Sequence, residues 1–208
     1  TKGELKKSKL RLMRWFNIVF TFLVLMLSSC RNEPTYPKPK SYLRIDLPEK
    51  GYYKIENNTC PFSFEIPNYA TWQQRFKNNN SCSKAVLFPQ FNAEILCDYI
   101  KLENDIVALS EVFRNKMYDH SFKSTGIIER SWSDAENKVY GITYGIKGNT
   151  ACNFGFLITD STKHAFLGQL MFQTKPNFDS LSPMINFITD DAEKSVSYTH
   201  LTLPTSND

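Results

Sequence analysis

Residues that assemble metal centres or phosphate cradles are scarce in this chain of 208. There are three histidines, and no two cysteines stand in the C-x-x-C spacing of zinc knuckles and redox dithiols. A G-x-S-x-G nucleophile elbow, a phosphate-binding loop and a paired-histidine metal motif are all missing. With eight glycines and ten prolines, a collagen-like or low-complexity chain is excluded. No apolar run reaches the roughly twenty residues that a membrane-crossing helix needs. Positive charge is also short where a nucleic-acid binder would need it. The net charge of +4 comes from the first 29 residues, which carry +5, so the remainder sums to −1. The sequence therefore implies no nucleic-acid partner, no metal and no cofactor.

What is present begins with an address. Six basic residues between Lys2 and Arg14 precede thirteen mostly apolar residues, 15–27, which fit the core of a secretory signal. Leu27-Ser28-Ser29-Cys30 then matches a bacterial lipobox. Small residues at 28 and 29 let the extended chain enter a peptidase site, and the Cys30 thiol is where a thioether to diacylglycerol forms before cleavage. Met13 stands directly before the apolar core and is a candidate start of translation. At the other end, residues 196–205 resemble translated sequencing adapter. The expected division is a signal peptide at 1–29, a lipidated Pro-rich tether at 30–48, a single domain at 49–194 and a non-native tail at 195–208. Pro34, Pro37 and Pro39 hold the tether extended, at about 3 Å per residue.

The 165 residues from 30 to 194 suffice for one core and carry no net charge. Period-2 alternation predicts strands at 52–56, 62–66, 85–88 and 93–102, and four more, joined by hairpin text, are readable at 127–132, 139–147, 152–160 and 165–174. Ile106, Leu109, Phe113 and Met117, with Val112 alongside, predict an amphipathic helix at 105–119 behind Asn104-Asp105. A closing helix is expected at 181–193. Hairpin text between the later strands makes the sheet antiparallel, so the fold class is α+β with flanking helices.

Four cysteines follow Cys30, and an even number in an exported chain points to disulfides with three alternative pairings. Cys60 and Cys82 both lie near loops and form the preferred pair. Cys97 and Cys152 fall inside strand patterns, where buried thiols fit at least as well as a bridge. Asp160-Ser161-Thr162-Lys163-His164 names three triad residue types, but neighbours on a hairpin diverge and turn chemistry explains them. Glu94 and Asp98 share a strand face and read as a solvated one. At 14%, the aromatics serve either a Phe-rich core or, in part, a protein-binding patch.

The order of elements resembles the Mog1/PsbP-like α/β/α sandwich, with Phe62-Ser-Phe-Glu-Ile-Pro67 followed by Trp72 similar to its opening. More specifically, Pro37-Lys-Pro-Lys-Ser-Tyr-Leu-Arg-Ile-Asp-Leu-Pro48 after a lipobox resembles the GldD family of gliding-motility lipoproteins of Bacteroidetes. Cys60-Pro-Phe-Ser-Phe-Glu65, Ile146-Lys-Gly-Asn-Thr-Ala151, Thr159-Asp-Ser-Thr-Lys-His164 and Pro176-Asn-Phe-Asp-Ser-Leu181 follow in family order. The resemblance implies an envelope lipoprotein needed for gliding and linked to type IX secretion, without catalysis, held to the membrane by its lipid and partnered by other envelope proteins. Arg44 and Asp46, alternating with Leu43, Ile45 and Leu47, either dock the tether on the domain or meet a partner. The competing classes are an envelope hydrolase, which needs a cleft gathering His164, Asp160 or glutamates, and a ligand-binding module, which needs a deep apolar pocket. Arg31 after the cysteine, with no acidic cluster behind it, places the anchor at the periplasmic face of the outer membrane; the alternative is the outer face of the cytoplasmic membrane.

Cys30→Ser is expected to leave an uncleaved, unacylated precursor, visible as slower gel migration without incorporated fatty acid. Normal processing of that variant would refute the lipobox.

Overall fold

A computed structural model describes residues 2–27, 45–56, 60–74, 82–103 and 105–197. The chain divides into two units, 1–41 and 42–208, each taken by itself. The first contains helix α1 (Lys2–Leu27), which carries the basic residues and then the apolar run 15–27. Trp15, Phe16, Ile18 and Phe22 on it are exposed. No helix among the described residues is long and apolar enough to cross a membrane.

The second unit is an antiparallel α+β structure. Among the described residues nine strands and two α-helices follow in the order β1 (Tyr52–Glu56), β2 (Ser63–Pro67), β3 (Thr71–Gln73), β4 (Lys84–Phe88), β5 (Ala93–Lys101), α2 (Ile106–Asp119), β6 (Ser124–Asp134), β7 (Val139–Gly148), β8 (Cys152–Thr159), β9 (His164–Phe172) and α3 (Phe178–Ser197). Seven strands form one sheet in the order β3-β4-β5-β9-β8-β7-β6, with every pairing antiparallel. Strands β1 and β2 pair only with each other and make a separate two-stranded sheet. Alternation in 52–56 and 62–66 marks them as half-buried strands but carries no information about which sheet they join. The three residues of β3 are too few to show a period, which is why the sequence does not announce that strand.

Two apolar clusters lie on opposite faces of the large sheet. On one face Phe62, just before β2, Phe64 and Ile66 of β2 and Ile188, Ala192 and Val196 of α3 pack on Phe88, Ile95, Phe156, Phe166 and Leu170. On the other, Phe113 and Met117 of α2 pack on Tyr144, Ile146, Leu157 and Leu167. Strand β8 is covered on both faces, and all eight of its residues are buried. Its sequence accordingly runs Cys-Asn-Phe-Gly-Phe-Leu-Ile-Thr, with little alternation. Edge strand β6 is mostly exposed and carries Glu129 and Arg130, charges that discourage edge-to-edge pairing.

Helix α2 starts as its sequence predicts, with the Asp105 side chain accepting from the Ala108 amide at 3.2 Å; Asn104 lies outside the described residues. Val112 differs from expectation and is 65% exposed. It sits one residue, about 100° of helix, from Phe113, and the buried stripe is too narrow to include it. Helix α3 begins at Phe178, three residues earlier than predicted, because the Phe178 amide donates to the Asn149 side-chain carbonyl at 2.7 Å. A cap delivered from a distant loop leaves no local signal. The helix also continues to Ser197, with Ser195 and Val196 buried. Gly148 closes β7 at φ 115°, where a Cβ would lie 2.8 Å from the Lys123 carbonyl oxygen.

Ile188→Ala removes a side chain with no exposed surface from the α3 stripe. It is expected to cost about 2–5 kcal/mol in urea denaturation, with Val112→Ala near neutral. Equal small effects from both would contradict the packing of α3.

Candidate functional site

Residues 45–50 lead into strand β1, and their contacts decide how the start of the domain is held. Ile45 packs against the larger cluster. Asp46 and Leu47 are exposed, and Arg44 lies outside the described residues. The firm attachment comes later. Lys50 Nζ lies 2.7 Å from Asp191 Oδ1, and the Tyr52 hydroxyl donates to the same oxygen at 2.7 Å. Tyr69, in the turn after β2, donates its hydroxyl to Asp191 Oδ2. Asp191 sits on α3 three residues past Ile188 and is 1% exposed, whereas the Lys50 side chain keeps 43% of its surface in solvent.

A carboxylate this deep is tolerated only when paired and hydrogen-bonded, and here both oxygens are used. Burial, and then donation to Asp191, push the Tyr52 and Tyr69 phenols well above the usual tyrosine range. Both remain donors at any physiological pH. Lys194 Nζ lies 3.7 Å from the Tyr52 ring centre, and Lys50 Nζ is 4.8 Å from that of Phe187, so cations cover the cluster from outside. This arrangement fastens the root of the tether, strand β1 and the turn after β2 to the closing helix. Its sequence signal was a lone acid on the apolar stripe of 181–193; the partners, more than 120 residues away, had none.

Cys60 and Cys82 are joined by a disulfide, with Cα atoms 5.6 Å apart, linking the start of β2 to the start of β4. Cys97 and Cys152 are buried and free. Burial raises both thiols, Cys152 to about 12, so each stays protonated and non-nucleophilic. Leu27 ends α1, whereas Ser28, Ser29 and Cys30 lie outside the described residues.

The 160–164 loop does what turn chemistry demands. Asp160 Oδ1 accepts from the amides of Thr162, Lys163 and His164 at 2.8–3.0 Å. Burial pushes its carboxyl up, the three amides pull it down further, and the net position is below the ordinary aspartate value. His164 turns away, its Nδ1 2.7 Å from the Tyr99 hydroxyl. The Ser161 backbone is left-handed at φ 62°, and its amide donates to the Thr159 hydroxyl at 2.9 Å. Glu94 departs from the expected solvated face: it is buried and accepts from Gln173 Nε2 at 3.3 Å, while Asp98 on the same face is exposed. Among the described residues no group of three or more metal-ligating side chains occurs. An apolar cavity bounded by Phe64, Val86, Cys97, Phe156, Phe166 and Val196 holds about 20 Å³, the scale of one water and not of a lipid.

Two outcomes test this description. Asp191→Ala, which leaves Lys50 and two part-buried phenols without their acceptor, is expected to cost about 1–3 kcal/mol of stability; a loss below about 0.5 kcal/mol would contradict the cluster. Asp160 has a depressed folded-state value, so its contribution is present at neutral pH and fades as pH falls through that value. The stability gap between wild type and Asp160→Asn should therefore shrink below about pH 4 in urea titrations, and a pH-independent gap would count against the turn.

Comparison with known proteins follows from this geometry. The solution structure of cyanobacterial PsbP from Synechocystis is similar at a TM-score of 0.41, with 9% identity over 70% of this chain and 93% of that one. No curated protein matches the sequence. The family model described as gliding motility lipoprotein GldD matches residues 32–199, a span that starts two residues after Cys30 and ends just beyond α3. The resemblance drawn from 37–48 and the later motifs is thus met by a match over most of the chain, which belongs to the GldD family of gliding motility lipoproteins.

Proposed function

We infer that this chain works as a lipid-anchored component of the cell envelope that serves gliding motility through protein contacts, without catalysis, alongside the type IX secretion apparatus. One observation carries the reading. The residues that follow the anchor-bearing segment, Lys50 and Tyr52, converge on a buried carboxylate of the last helix. Pull or push on the tether would therefore pass into both ends of the domain at once, as a component positioned between a membrane and a partner requires. The lipid on Cys30 holds the protein at the periplasmic face of the outer membrane, and the Cys60–Cys82 bridge suits that oxidising side. Protonated thiols and raised phenols, with the one Asp-Ser-His run spent on a turn, support a non-catalytic role.

The test is complementation of a gliding bacterium lacking its own family member. The full chain is expected to restore single-cell movement and to fractionate with the outer membrane, and Cys30→Ser to abolish both. Movement restored equally by Cys30→Ser would remove the anchored mechanism, and a correctly anchored, folded chain that never restores movement would remove the motility role.

A further inference from the structure

We propose that the cleft between strands β1 and β3 takes an acidic, extended segment of a partner protein, which rests on the protein-contact reading above and gives it a place on the fold. Both strands are edges. Among the described residues β1 pairs only with β2, and β3 ends the seven-stranded sheet, so each keeps one side without a neighbouring strand. The cleft between them holds about 420 Å³, within the range of ligand sites. Residues 53–55 of β1 and 71–73 of β3 line it. A strand that offers a face contributes every second residue, so three successive residues from each strand mark edges turned toward the opening.

Backbone chemistry names the class of occupant. An unpaired edge presents N–H and C=O groups in a row, and another extended polypeptide complements such a row. The five residues of β1 and three of β3 are short, so the site suits a short segment. Charge narrows the choice. Lys54 and Lys84 are the charged residues of the lining, and no carboxylate lines the cleft. Lys54 stands opposite Glu65 on the hairpin ladder. Lys84 is half-buried, with Nζ 5.8 Å from the Trp72 ring centre, and makes no ion pair among the described residues. An acidic side chain on the incoming strand would answer it. Tyr53, whose hydroxyl donates to the Ala70 carbonyl at 3.1 Å, and Ile55 place apolar surface beside the cations. Acidic and apolar residues in alternation match that lining. A glycan is disfavoured, because Lys84 already covers the Trp72 ring on which a sugar would stack.

The experiment titrates the ¹⁵N-labelled full chain in detergent with the peptide acetyl-Val-Glu-Val-Glu-Val-amide. Parallel titrations use its lysine counterpart, the acidic peptide with N-methylated valines, and tetragalacturonate. Saturable amide shifts at 53–55 and 71–73 are expected with the acidic peptide, and binding about tenfold weaker with the lysine or the N-methylated peptide. Lys84→Glu should invert the preference between acidic and lysine peptides; where that half-buried substitution fails to fold, the exposed Lys54→Glu should weaken the acidic peptide about tenfold. No saturable shift up to about 10 mM, equal binding of either control peptide, or tetragalacturonate bound as tightly would overturn the proposal. So would shifts at the same amides produced by protein concentration alone, the sign of a second copy in the cleft. Movement is not part of this readout, so such a failure strikes the cleft alone and leaves the protein-contact reading to complementation.

Discussion

A carboxylate with 1% of its surface exposed dictates much of what surrounds it. Asp191 cannot remain charged on the buried stripe of α3 unless donors come to it, and those donors lie at the opposite end of the sequence. Lys50 and Tyr52 stand at the entry to β1, and Tyr69 in the turn after β2. Satisfying one side chain thus closes the domain on itself, first residues to last helix. The β1–β2 hairpin lies over the large sheet as a consequence, and its Phe62, Phe64 and Ile66 complete the cluster that α3 covers only in part.

The remaining constraints work outward from that closure. The Cys60–Cys82 bridge ties the same hairpin to the fourth strand, so the hairpin is held at both ends, by covalent bond at one and by charge at the other. The opposite face of the sheet is covered by α2 with a narrow apolar stripe in which Met117 fills the space above Gly155. Closure, bridge and stripe together leave edge strand β6 mostly exposed.

Much of the fold was legible in the sequence for physical reasons. The strand text reported eight of the nine strands among the described residues, and helical spacing with the Asp105 cap reported α2. What was missed had no local signature: a three-residue strand, a helix start capped by Asn149 from another loop, and a hairpin whose sheet membership depends on tertiary packing. The site divides in the same way. Cysteines near loops are written locally, so the Cys60–Cys82 pairing could be read, whereas Ser28, Ser29 and Cys30 of the expected lipobox lie outside the described residues. Asp191 could have been noticed as an acid among Ile188, Ala192 and Ser195, but nothing near it names Lys50, Tyr52 or Tyr69. The Asp160–His164 run showed the reverse, a catalytic-looking string whose backbone hydrogen bonds make it a turn.

The claim on which the mechanical reading rests is that the tether root and the closing helix are energetically coupled through Asp191. A double-mutant cycle between Lys50→Met and Asp191→Asn, measured by urea denaturation of the full chain, tests it most directly. Coupling of about 0.5–3 kcal/mol between the two positions is the predicted result. Additivity to within about 0.3 kcal/mol would contradict it, leaving the lysine as a surface charge and the tether without its hold on the domain.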